Sequence, residues 1–88
     1  MENLKLGSFV KSVKGRDENN IYIVKEISKD RVVLVDGAGK MLAKPKTKNI
    51  KHIEVLGFEP SKIGEKFATG QKVFDAEVYS AIRKIKIM

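Results

Sequence analysis

Two runs of β-branched and aromatic residues, Ile21-Tyr22-Ile23-Val24-Lys25-Glu26-Ile27 and Arg31-Val32-Val33-Leu34-Val35, are separated only by Ser28-Lys29-Asp30. Such runs favour extended backbone, and three polar residues between them leave room for a turn and nothing longer. The second run is apolar on both of its faces, so it is expected to lie deep in the core. A chain of 88 residues supports one core of modest size. These two strands therefore constrain where every other segment must pack.

The flanking segments add further strands. Ser8-Phe9-Val10-Lys11-Ser12-Val13-Lys14 puts Phe9 and Val13 on one face with Lys11 between them, a partly buried strand of period two. Gly15-Arg16-Asp17-Glu18-Asn19-Asn20 has turn chemistry, with Gly and Asn tolerant of positive φ. Asp36-Gly37-Ala38-Gly39 reads as a hairpin turn with two glycines available for positive φ, followed by a short strand, Lys40-Met41-Leu42-Ala43. Residues 44–49 read as a loop, because Pro45 cannot donate to a ladder and the segment has little to bury. Residues 50–56 form the last strand. Five short strands with turns every 8–12 residues predict a mainly β fold, a small barrel whose closure removes exposed edges.

Beyond residue 56, Gly57-Phe58-Glu59-Pro60-Ser61 reads as a connector. Residues 63–69 carry a weak helical signal that Gly70 ends. Asp75 is placed to cap a second helix, in which Val78, Ala81, Ile82 and Ile85 fall at i, i+3, i+4 and i+7. About three turns of helix are marginal alone in water, so this tail needs a surface, for which an open end of the barrel is expected. The expected organisation is a barrel over residues 1–58 and a connector with an amphipathic helix packed on it over residues 59–88.

Several function classes fall away. No apolar run approaches the ~20 residues of a membrane span, and residues 1–7 lack an apolar signal-peptide core. Without cysteine there is no disulfide framework, zinc ribbon or thiol nucleophile. These points predict a cytoplasmic protein. His52 is the sole histidine, and no serine sits in a G-x-S-x-G elbow or beside a second base. No enzyme, metal or cofactor is expected. Gly37-Ala38-Gly39-Lys40 lacks the spacing and following Ser/Thr of a phosphate loop.

Charge is more informative. Eighteen Lys+Arg against eleven Asp+Glu give +7, and the pI of about 9.7 is in the range of nucleic-acid-binding domains. Between residues 40 and 52 stand Lys40, Lys44, Lys46, Lys48 and Lys51 with no acid, closing on His52. Lys44, Lys46 and Lys48 alternate, so extended backbone would project them to one side as a row for phosphates. In the first loop, beside Lys11 and Lys14, Gly15 permits close backbone approach and Arg16 offers a bidentate fork. Asp17 reads as structural, setting the turn through backbone N–H groups. Aromatic residues are few, most of them read as core, and they form no interleaved platform, so the expected mode is shape and backbone contact with folded RNA.

These pieces, in order, resemble a known family. Gly7-Ser8-Phe9-Val10-Lys11-Ser12-Val13-Lys14-Gly15-Arg16-Asp17 is similar to the opening of a KOW motif. Val32-Val33-Leu34-Val35-Asp36-Gly37, then Lys44-Pro45-Lys46 and Ile50-Lys51-His52-Ile53, resemble the small bacterial KOW-domain RNA-binding proteins. Those are akin to KOW-containing large-subunit ribosomal proteins of archaea and eukaryotes. The resemblance implies an SH3-like barrel, binding of RNA (ribosomal RNA first), association with ribosomes or translation, and possible contact with ribosomal proteins. It places the RNA-facing residues at Lys14, Gly15, Arg16 and Asp17 and at Lys44, Pro45 and Lys46. Where that family's loop continues Lys-Gly-Arg/Lys, this chain has Glu18-Asn19-Asn20, which moves the expected weight toward residues 40–52. The alternative is a protein-interaction module of the transcription or translation machinery, since such barrels serve both roles.

Overall fold

The computed structural model describes residues 4–39, 42–57 and 60–86. Five strands, β1 (Phe9–Ser12), β2 (Ile21–Ile27), β3 (Arg31–Val35), β4 (Lys46–Asn49) and β5 (Ile53–Val55), precede two helices, α1 (Ile63–Thr69) and α2 (Asp75–Lys86). All pairs are antiparallel, in the order β4-β3-β2-β1-β5. Laid flat, five strands would hold β4 and β5 about 19 Å apart at normal spacing. Yet only the 3-10 turn Ile50–His52 joins them, and three residues of such a turn advance about 6 Å. The sheet is therefore strongly coiled, although β4 and β5 share no ladder and it stays open. The turn is fixed at both ends: Ile50 N–H donates to Asp30 O (3.0 Å) and Val13 N–H to His52 O (2.9 Å).

Register assigns two apolar faces. Val10 opposes Tyr22 and Val55, Val24 opposes Leu34, and Ser12 opposes Ile53. Directly opposed residues share a face. Val10, Tyr22, Val24, Val32, Leu34 and Ile53 accordingly form one buried cluster inside the curl. Phe9, Ile23 and Val35 point the other way and pack against Ile63, Val78 and Ile82 of the helices. β2 changes register between Val24 and Glu26, and a bulge of this kind increases local twist.

Glycines set how closely the helices approach. A Cβ on Gly64 would lie 2.1 Å from Leu6 O, and one on Gly7 (φ 86°) 2.6 Å from Ser61 O. A Cβ on Gly37 (φ 76°) would lie 2.3 Å from Asp75 O. Each is a backbone-to-backbone contact that no side chain permits.

The helical tail falls where periodicity places it, with Val78 and Ile82 buried and Ala81 and Ile85 packed beside them. Gly70 ends α1 in the left-handed region, φ 75°. Several sequence expectations are corrected. The surface under the helices is the outer face of β1–β3, not an open end of a barrel. β1 ends at Ser12, and Val13 is 42% exposed. The fourth strand is Lys46–Asn49, where a loop was expected. Of the strand expected at residues 40–43, Leu42 and Ala43 form a turn, and Lys40 and Met41 lie outside the described residues. Residues 50–52 are a 3-10 turn, so the last strand is short. Asp75 is the first residue of α2, and its carboxylate accepts from Leu42 N–H (2.7 Å). Glu77 instead reaches back to Phe74 N–H (2.9 Å) and pairs with Lys66 of α1. Lys66 and that N–H hold the Glu77 carboxyl below its ordinary range. No helix among the described residues is long and apolar enough to cross a membrane.

Candidate nucleic-acid interface

The two basic segments, separate in sequence, meet at Asp17. β4 opposes β3 with Leu34 against Lys46 and Val32 against Lys48. Both lysines therefore share the concave face with the apolar cluster. They extend over its rim toward the β1–β2 loop. Lys46 Nζ lies 2.9 Å from Asp17 Oδ2, and Lys48 Nζ 2.8 Å from Asp17 Oδ1. Tyr22 donates its hydroxyl to Oδ2 (2.9 Å), and Ser12 Oγ lies 3.0 Å from Oδ1. Lys48 also donates to Lys14 O (2.8 Å), which fixes the start of the loop to the β4 edge.

This explains a strand without apolar residues. Lys-Thr-Lys-Asn buries its inward side chains by charge-assisted bonds in place of hydrophobic contact. The Lys48 side chain is 10% exposed and that of Asp17 11%. Burial alone would raise the Asp17 carboxyl; Lys48, Lys46, Tyr22 and Ser12 outweigh it and hold it well below the usual carboxylate range. Burial, and then the Asp17 carboxylate it serves, push the Tyr22 hydroxyl up to about 12.

The expected site residues now sort by location. Lys14, Gly15 and Arg16 are exposed at the loop, with Gly15 at φ 96° and Asn19 at φ 76°. Asn19 thus takes the left-handed conformation that the loop sequence allows. Lys51 is exposed and His52 half-buried in the 3-10 turn, which the Val13–His52 bond holds beside the loop. Lys44 is exposed in the turn before β4. Lys46 and Lys48 are the inward members of the group, committed to Asp17. Lys11 stands apart on the helix-side face, paired with Glu54 at 3.4 Å. Lys40 lies outside the described residues.

Lys14 and Arg16 on the loop, Lys51 in the turn beside it and Lys44 before β4 are exposed, while Lys46 and Lys48 are matched by Asp17. Such a surface attracts phosphate. Asp17 is structural, as expected, but through four side chains from three strands and not through turn N–H groups. Ser12 and Tyr22 were missed as its partners. The one available signal was a lone acid inside a basic loop. Among the described residues, no group of three or more His, Cys, Asp or Glu could hold a metal ion.

Comparison with models of known protein families finds no match, and no curated protein sequence matches the chain.

Proposed function

We propose that this chain is a non-catalytic RNA-binding module, a KOW-type domain on an SH3-like barrel, that contacts the phosphate backbone of structured RNA in the setting of ribosomes and translation. The observation that carries this reading is the convergence on Asp17. It orders the β1–β2 loop against the β4 edge and leaves Lys14, Arg16, Lys44 and Lys51 outward. The coiled five-strand antiparallel sheet, with β5 beside β1, and the Gly15-Arg16-Asp17 loop support the KOW-type barrel. Pre-ordering the loop lowers the entropy lost on docking.

The test is binding of a ribosomal RNA helix–loop fragment, followed by fluorescence anisotropy at 50 and 200 mM salt. About four phosphate contacts predict a loss of about 100-fold in affinity over that range. Lys14→Glu, Arg16→Glu and Lys51→Glu should each weaken binding and flatten the salt slope with little change in melting temperature, since all three side chains are exposed. Absence of binding at 50 mM, or an affinity indifferent to salt, would overturn the reading. Capture of a protein partner that survives nuclease treatment would favour an interaction module instead.

A further inference from the structure

The β1–β2 loop borders a second feature. Where it enters β2, a groove of about 190 Å³ opens between the sheet and α2. Its apolar lining comes from Ile21 and Ile82, with Asn20 on one side. Tyr79, Ile82, Arg83 and Lys86 lie at i, i+3, i+4 and i+7 of α2, so one helix face presents a ring, an apolar residue and two cations in succession. Tyr79 is 47% exposed and is not among the residues of the apolar cluster beneath it.

We infer that this groove receives one unpaired base of the RNA, stacked on Tyr79, with its phosphate held by Arg83 and Lys86. The inference rests on the RNA-binding reading and extends it from backbone contact to one base-sized subsite. Three properties support it. The volume is below the ~300–1,000 Å³ of drug-sized sites, which suits a single ring system. An exposed aromatic flanked by cations is the arrangement that binds single-stranded nucleotides, because every base has a π-face and every nucleotide a phosphate. Asp36 on the facing wall, whose Oδ1 accepts from Ala38 N–H (2.9 Å), disfavours a phosphate deep in the groove and leaves it at the Arg83–Lys86 end. The loop also gives continuity: a strand whose phosphates lie along Lys14 and Arg16 reaches Asn20 and the groove without crossing the molecule.

The test uses the full chain and NMR of backbone amides, with adenosine 5′-monophosphate and inorganic phosphate titrated separately. Adenosine monophosphate should shift Ala38, Tyr79 and Ile82 together with Arg83 and Lys86, whereas phosphate should shift the last two alone. Identical patterns for both ligands would remove the base from the proposal. No response in the groove to either would overturn it altogether, and RNA binding lost on Arg16→Glu would still leave the backbone reading standing. With RNA, Tyr79→Ala should cost about ten-fold in affinity for a hairpin carrying one unpaired base and nothing for a fully paired duplex. Tyr79→Phe, which keeps the ring, should retain affinity for both. Equal losses on the two RNAs would also overturn the subsite.

Discussion

The two faces of the sheet are sealed by different forces. On the helix side, Phe9, Ile23 and Val35 meet Ile63, Val78 and Ile82, and glycines let backbone touch backbone. On the concave side, an equally apolar cluster ends at a rim made of Asp17, Ser12, Tyr22, Lys46 and Lys48. The helix side depends on shape, so it responds first to added volume, with the Lys66–Glu77 pair between its helices as an acid-sensitive contact. The rim depends on charge, so it responds to protonation and to loss of any one partner. The basic surface is built on the second kind of closure, which couples its order to the ionisation of one carboxylate.

The largest expected effect probes shape. Gly64→Ala puts a methyl group within 2.1 Å of Leu6 O and 3.0 Å of Gly7 Cα, backbone on both counts. It should cost about 4 kcal/mol or more, a fall of about 20 °C in melting temperature for a domain of this size. Gly57→Ala is the control, because its Cβ would meet nothing within 4 Å. Equal melting temperatures for both variants would refute the close-approach account.

Next in size is the rim. Asp17→Asn keeps the shape and removes the charge, leaving Lys46 and Lys48 turned inward without a counter-ion. Breaking such a group costs about 3 kcal/mol. The same residue sets the acid response. Its folded pKa is depressed, so its contribution is complete above the unfolded value of about 3.9 and is lost progressively as pH falls below it toward the folded value. Denaturant titrations from pH 6 to pH 2 should show stability declining below about pH 4 in the wild type, and a weaker decline in Asp17→Asn. Parallel curves would place the acid sensitivity elsewhere.

How legible this was in the sequence follows the same division. β2, β3 and the α2 stripe could be read because apolar periodicity reports burial by hydrophobic contact. Gly70 and Asn19 could be read because left-handed backbone has few candidate residues. β4 could not, since Lys46-Thr47-Lys48-Asn49 has no apolar residue and its burial depends on an acid 29 positions from Lys46. For the same reason Lys46 and Lys48 read as a free phosphate row, while the structure commits both to Asp17 and leaves Lys14, Arg16 and Lys51 outward. The five-residue intervals from Ser12 to Asp17 to Tyr22 match no local period, so their meeting needed the coil of the sheet. The approach of α2 to Gly37 was equally hidden, because nothing local distinguishes a hairpin glycine from one that also seats a helix.

The two lysines sharpen the comparison at a finer scale. Lys48 is the more buried, with its side chain 10% exposed against 28% for Lys46, and it bonds both Asp17 and Lys14 O. Lys48→Met should therefore cost about 2 kcal/mol and Lys46→Met about 1 kcal/mol, since each removes a charge-assisted bond from the same acceptor but only the first frees the loop. Equal values in denaturant melts would mean that the carboxylate, and not the loop tether, sets the order of the rim.

The smallest effect belongs to the neutral member of the rim. Tyr22→Phe removes one hydroxyl donor to Asp17 and leaves the ring in the concave core, for a loss of about 1 kcal/mol. Its diagnostic is alkaline pH. The folded pKa of Tyr22 is raised to about 12 from an ordinary value near 10, because burial, and then Asp17, oppose the phenolate. The neutral hydroxyl thus contributes fully below about pH 10, and that contribution is lost as pH rises through about 12. Wild type should weaken across this interval while Tyr22→Phe weakens less. The background from all other groups is common to both chains. A single alkaline curve for the two would show that Tyr22 gives up its proton without cost to the fold, and the rim would then rest on its ion pairs alone.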